Sequence, residues 1–312
     1  MAFHTPGGGE MQLLAYKKYL PDLGVDVSLL DPWNPKFLDH DVVHFFSCVG
    51  GSSHFCGFVK SIGKPLVVSS SLWITQETKT LYPYDEINLQ LHLADTVVAN
   101  SRIECLKLSE VFSLPLEKLK TVYNGVDEDA FKDSDGTLFS KANKLTRPYV
   151  LNVANIEPRK NQLSLIRAMR SMPSHDVVLV GGIRDHAYAV QVFEEGGDKV
   201  RYCGWIEPGP MLRSAFRGCS AFCLPSTLET PGLAALEAAA QGVPIVVTEV
   251  GSTREYFKET CTYVSPDSAE SIASGTAAAI NTTRHSTQSR LDKSYLWSNT
   301  LKDLVEVYYQ HI

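Results

Sequence analysis

What this sequence lacks removes several classes of protein at once. No apolar run approaches the roughly 20 residues needed to span a bilayer, and no basic-then-apolar segment opens the chain. Neither a membrane span nor a secretory signal is therefore expected. The seven cysteines are odd in number and include no CxxC pair. They read as reduced thiols of a cytoplasmic protein, with Cys219 and Cys223 as small core residues. In that setting the lone sequon Asn281-Thr282-Thr283 carries little meaning. Positive charge is not in excess: 29 Lys and Arg stand against 35 Asp and Glu, a formal charge of -6. That balance argues against nucleic acid as the main partner. Gly7-Gly8-Gly9 is not GxGxxG, so a dinucleotide fold gains little support. No convincing metal site is present either. The triplets at Asp39–Asp41, Asp127–Asp129 and Asp133–Asp135 read as solvated turn residues, so no cofactor or metal is expected.

What remains is ordinary for a globular protein, 44% hydrophobic and 21% charged over 312 residues, with room for two cores. In the first half, strand-like runs recur at Val25–Leu30, Val42–Phe46, Leu66–Ser70, Thr96–Ala99 and Thr121–Tyr123. Helical patterns separate most of them, at Ser53–Ile62, Asp85–Ala94 and Arg102–Val111. Another helix is expected over Glu10–Leu20, with Leu13, Leu14 and Leu20 on its apolar side. A polar connection, about Asp127–Arg147, then leads to a second series: Tyr149–Val153, Val177–Val180, Val200–Cys203, Ala221–Leu224, Ile245–Thr248 and Thr262–Val264. Apolar strands alternating with helices indicate parallel sheets covered on both faces. Two such α/β domains, facing across a cleft, would bind ligands at their strands' carboxyl ends.

The chain is organised around Leu224–Gly251, a strand, loop, helix and strand. Thr230 is the expected N-cap and Pro231 the first helical residue, with Gly242 and Pro244 ending the helix. Glu229 precedes that helix, where a carboxylate suits the dipole. Glu237 falls near Leu233, Leu236 and Ala240, on the rim of the face expected to pack, and needs a hydrogen-bonding partner. The loop Asn152–Gln162 sets Arg159 and Lys160 at a strand's carboxyl end, where cations can neutralise a leaving diphosphate. The bland alternative is a solvated basic pair at a helix start. Gly8 and Gly9, just before a helix, either admit a phosphate or sugar to the backbone or form a plain loop. Gly182 follows a strand and can admit a ligand. Trp205 and Ile206 end another strand, beside a base or in the core. His44 reads as a satisfied strand histidine, whereas His54 stands near a strand's carboxyl end and can orient an acceptor hydroxyl. The closing helix, about Tyr295–Tyr308, is expected to pack back across the first domain.

Together these residues resemble the large family of retaining GT-B glycosyltransferases that includes sucrose-synthase-like and bacterial mannosyl- and glucosyltransferases. The resemblance rests on Glu229 through Glu237-Ala238, Gly242-Val243-Pro244, Gly251–Glu255, Tyr123–Asp127 and the Pro158-Arg159-Lys160 segment. It implies acceptor binding in the first domain (1–140) and nucleotide-sugar binding in the second (141–294), with 295–312 returning to the first. It further implies Glu229 on the donor sugar's hydroxyls, Glu237 on the ribose and Lys160 on the diphosphate. Backbone groups at Gly232 and Leu233 would face the same phosphates, and Gly8 and Gly9 would approach from the first domain. Three departures stand out. Asn155 occupies the position five residues before the lysine where the family usually has arginine, with Arg159 to compensate. Thr230-Pro231-Gly232 replaces Gly-Phe-Gly, which removes one N–H donor. The strand before the glycines is cut to about Ala2-Phe3-His4, which suggests a late start or a loose first sheet.

The implied activity is transfer of a hexose from a nucleoside diphosphate sugar to a hydroxyl of a glycan, lipid-linked or other acceptor, with anomeric retention. The implied setting is polysaccharide or glycoconjugate assembly in the cytoplasm, peripheral to a membrane carrying the acceptor. Two other classes compete: a sugar-nucleotide epimerase of the same fold, and a catalytically silent binding subunit.

Overall fold

The computed structural model describes residues 7–48, 51–282 and 291–312. The short strand expected at Ala2-Phe3-His4 lies outside them, as do Thr5, Pro6, Gly50 and the sequon's Thr283. Elements are numbered along the chain. Two compact units divide it, one of residues 8–125 with 294–312 and the other of 126–293.

The first unit is a parallel sheet of β1 (Val43–Phe46), β2 (Leu66–Ser69), β3 (Thr96–Ala99) and β4 (Leu119–Thr121), in chain order. Parallel neighbours need crossovers, supplied by α2 (Ser53–Ser61), α3 (Tyr84–Leu93) and α4 (Arg102–Phe112). The runs Leu-Val-Val-Ser and Thr-Val-Val-Ala of β2 and β3 are buried at every position, as strands covered on both faces are. Helix α1 (Gly8–Tyr19) and the last helix, α12 (Trp297–Tyr309), complete the unit. Tyr16 meets Trp297 edge-on, and His44 bonds Tyr308 Oη at 2.6 Å and Ser69 Oγ at 2.8 Å. Burial lowers the His44 pKa to about 3, so it is a neutral, satisfied strand histidine.

The second unit holds six parallel strands ordered β10-β9-β8-β5-β6-β7. They are β5 (Tyr149–Val153), β6 (Asp176–Val180), β7 (Val200–Tyr202), β8 (Ala221–Leu224), β9 (Ile245–Thr248) and β10 (Thr262–Val264). The chain builds outward from β5 to β7, then returns to start β8 on the other side of β5. The order therefore reverses between β5 and β8, which pair through Val150–Ala221 and Leu151–Phe222. In an open α/β sheet that reversal leaves a crevice at the carboxyl ends of the two strands. Among the described residues, seven α-helices belong to this unit: α5 (Thr137–Ala142), α6 (Gln162–Met169), α7 (His186–Gly196), α8 (Pro210–Gly218), α9 (Leu233–Ala240), α10 (Thr253–Phe257) and α11 (Ala269–Asn281).

Four expectations need correcting. Val25–Leu30 is not assigned as a strand: Leu29 and Leu30 are exposed, and no ladder pairs the segment among the described residues. Its alternation with Asp26 and Ser28 leaves too little apolar surface to hold it on a sheet. Strand β4 lies two residues earlier than expected, because Val97 pairs with Leu119. Helix α1 begins at Gly8 and not Glu10, so both glycines are helical; it buries Gln12, Ala15 and Tyr16, while Leu14 is exposed. The polar connection is partly structured, since α5 buries Phe139 and bonds its N–H to Ser214 Oγ of α8 at 2.8 Å. No described helix is long and apolar enough to cross a membrane.

Candidate active site

Four loops at the carboxyl edge of the six-stranded sheet are tied into one surface. After β5, Asn161 adopts a left-handed conformation (φ 58°) and donates from Nδ2 to the carbonyls of Pro225 and Pro266. These carbonyls follow β8 and β10. Thr227 N–H donates to the Arg159 carbonyl at 2.9 Å. After β9, Gly251 lies flat on the Glu229 backbone, with φ 110° and no room for a Cβ, which would strike the Glu229 carbonyl. The Glu229 N–H donates to Val250, and its carbonyl accepts from Ser252 N–H. The backbone of Glu229 is thus held from both sides.

Its side chain lies in the crevice between β5 and β8, 4% exposed. Lys160 Nζ donates to Glu229 Oε1 at 2.5 Å, and Arg159 Nη1 stands 3.9 Å from the same oxygen. Burial alone would raise this carboxyl, but the two cations outweigh it and hold its pKa below the ordinary value. Arg159 also donates to Glu157 Oε1 at 3.0 Å, while Arg184, from the loop after β6, stands 3.6 Å from Glu157 Oε2. Charges therefore alternate along the strand ends as Arg184, Glu157, Arg159, Glu229 and Lys160.

Helix α9 starts at Leu233 and not at Pro231. Gly232 (φ 87°) is its N-cap, accepting at its carbonyl from Ala235 and Leu236, and no side chain caps the end. Thr230 is consequently not the cap expected from its residue type. The first-turn N–H groups of such a helix are its unsatisfied donors and the positive end of its dipole. Glu237 is half-buried beside the α9 face that buries Ala235, Leu236, Ala238, Ala239 and Ala240. Burial, then repulsion from Asp127, raises its pKa to about 7. Asp127, read from the sequence as a plain solvated turn residue, is half-buried and helps set that value.

The structure brings Lys160, Arg159, Glu229, Thr230, Gly232 and Leu233 together around the β5–β8 crevice. Asn155 is buried beside it, and its Oδ1 accepts from Gly182 N–H at 3.3 Å. That bond occupies the Gly182 donor. Trp205 is 42% exposed and donates to Glu207 at 3.0 Å, so it is not a core residue; Ile206 is half-buried. Gly8, Gly9 and His54 belong to the other unit. Both glycines lie in the first turn of α1 with open space where a side chain would be, and His54 is exposed near the start of α2. Sequence reading missed the direct pairing of Lys160 with Glu229, and the parts of Glu157, Arg184 and Asn161. The signals were present as a carboxylate two residues before Arg159 and an asparagine after Lys160.

Residues 134–294 match the family described as glycosyl transferases group 1. Over 299 residues the chain is 25% identical to an uncharacterized glycosyltransferase of Methanocaldococcus jannaschii, covering 86% of this chain and 75% of that protein. A D-inositol 3-phosphate glycosyltransferase of Mycolicibacterium smegmatis is 28% identical over 169 residues. That match takes in 51% of this chain and 38% of the relative's length. Anabaena HepE, solved in complex with UDP, superposes with a TM-score of 0.76 at 17% identity, covering 95% of this chain and 89% of HepE. The same protein has been solved with UDP-glucose. The likeness in fold extends through both units and is that of GT-B proteins.

Proposed function

The chain belongs to the glycosyl transferases group 1 family, and on that premise we propose that it transfers a hexose from a nucleoside diphosphate sugar to an acceptor hydroxyl with anomeric retention. One observation carries the reading: Lys160, Arg159 and Glu229 share the crevice where the strand order reverses, next to the start of α9, which no side chain caps. HepE, of the same fold, binds UDP and UDP-glucose. Lys160, Arg159 and the N–H groups of Gly232 and Leu233 stabilise the diphosphate as the sugar–oxygen bond breaks, when its charge grows. Glu229 accepts from the sugar's hydroxyls and also holds Lys160 in place. Glu237, when ionised, accepts from the ribose hydroxyls, and Trp205 with Ile206 flanks the base. Arg159 provides the cation that Asn155 does not.

The leaving phosphate takes the acceptor's proton, so the protein needs no strong base. Acceptor binding is assigned to the unit of residues 8–125, with His54 orienting the hydroxyl. The acceptor is a glycan, lipid-linked or other hydroxyl compound of glycoconjugate assembly, met at the cytoplasmic membrane face.

A screen of sugar nucleotides for donor hydrolysis tests this, with product analysis by mass. One donor is expected to release its nucleoside diphosphate and free sugar with the anomeric configuration kept. Formation of an epimerised sugar in place of free hexose, or binding of none of UDP, GDP and ADP, would overturn it.

A further inference from the structure

The charge row at the strand ends contains one member that the proposed function leaves unused, Arg184. We infer that Arg184 is a further donor-binding residue, supplying with Arg159 a second cationic contact to the donor's diphosphate. This rests on the donor reading above.

Three features of the structure support the inference. The first is placement. The loop after β6 is clamped to the loop after β5 by an Ile156–Ile183 bridge and by Arg184 N–H donating to the Ile156 carbonyl at 3.2 Å. Arg184 is therefore held one strand over from Lys160, on the same carboxyl edge as the β5–β8 crevice. The second is the charge at that edge. Asn155, buried just after β5, is neutral, and its Oδ1 already accepts from Gly182 N–H. Cationic charge must then come from Arg159, Lys160 and Arg184.

The third is exposure. Among the five members of the row, the covered ones are Glu157, Glu229 and Lys160, whose side chains are 12%, 4% and 13% exposed. The side chains of Arg159 and Arg184 are 47% and 41% exposed. Glu157 holds one arginine on each of its oxygens, at 3.0 and 3.6 Å. An incoming dianion thus finds three cations set against two carboxylates, with the two guanidinium groups as the accessible members. Asp185, next in the chain, is committed to capping α7, its Oδ1 accepting from the Tyr188 N–H at 2.9 Å. A planar guanidinium suits a diphosphate, since two of its N–H groups can meet two oxygens together.

Calorimetric titration of the full chain with UDP, GDP and ADP identifies the nucleotide that binds. The wild type and Arg184→Ala are then titrated with that nucleoside diphosphate, with its nucleoside and with inorganic pyrophosphate. The variant is expected to weaken the diphosphate and pyrophosphate about tenfold, to leave the nucleoside unchanged and to flatten the salt dependence. Arg184→Lys should recover part of the loss, and matched thermal midpoints would exclude misfolding. Unchanged diphosphate affinity, or an equal loss for the nucleoside, overturns the inference while leaving the donor reading intact. A wild type that binds none of the three overturns both.

Discussion

Replacing Glu237 by glutamine removes a titratable group from a place that resists its charge. Burial and Asp127 raise its pKa from 4.5 to about 7. In the unfolded chain the group returns to its ordinary value. Below about pH 4.5 both states are protonated and folding is indifferent to the group. Between 4.5 and 7 the native state keeps a proton that the unfolded state has released, so stability falls as pH rises. Above 7 the deficit is complete, and a displacement of this size corresponds to about 3 kcal/mol. Because Glu237 is only half-buried, that figure is an upper bound. Glutamine mimics the neutral form. Glu237→Gln should therefore melt with the wild type near pH 4 and above it at pH 8, by up to roughly 6–12 °C for a unit of this size. Binding should move oppositely. An ionised Glu237 accepts from ribose hydroxyls, so wild-type affinity for the nucleoside diphosphate rises between pH 6 and 8. The glutamine variant binds weakly and without that rise. Scanning calorimetry and titration at the three pH values provide both measurements. An equal melting difference at pH 4 and pH 8 would refute the assignment of charge to this carboxyl.

Further outcomes follow, all but the last from the same surface. Lys160→Ala should cut donor hydrolysis by about 10²-fold or more and also lower the thermal midpoint, because buried Glu229 keeps only the more distant Arg159 as a counter-charge; Lys160→Ala with Glu229→Gln should regain stability but not turnover. The wild-type pair contributes above the carboxyl's ordinary pKa of 4.5, and that contribution is lost as pH falls through its lower folded value, which a pH series of melting curves would show. Gly251→Ala should cost about 2–4 kcal/mol by denaturant unfolding, since its Cβ has no room and φ is 110°. Gly9→Ala, in open space within a helix, should instead stabilise by about 0.5–1 kcal/mol in the same assay.

The second unit was the more legible in the sequence, for a physical reason. Tyr149–Val153, Ala221–Leu224 and Ile245–Thr248 are apolar runs bounded by polar or glycine-rich turns, and strands buried on both faces require that pattern. Val25–Leu30 is also rich in Val and Leu, but Asp26 and Ser28 interrupt it and no strand pairs with it among the described residues; pairing is not encoded in one segment alone. The start of α1 was misplaced because Ala15 and Tyr16 are anchored by tertiary packing, which overrides the low helix propensity of Gly8 and Gly9. The start of α9 was misplaced because Gly232 caps it through backbone conformation, whereas the residue types favoured Thr230. At the site, Lys160 and Glu229 were each legible from their neighbours. Their bond joins positions 69 residues apart and follows from the strand order, which local pattern does not reveal.

The return of α12 to the first unit has a consequence for synthesis. A ribosome delivers residues 8–125 early, but that unit's last helix emerges only after all of 126–293. Until then Tyr16 lacks Trp297, His44 lacks Tyr308 and Thr96 lacks His311, its partner at 2.8 Å. The later-made unit can finish folding first, and the earlier-made one waits for the final stretch of chain to close its core.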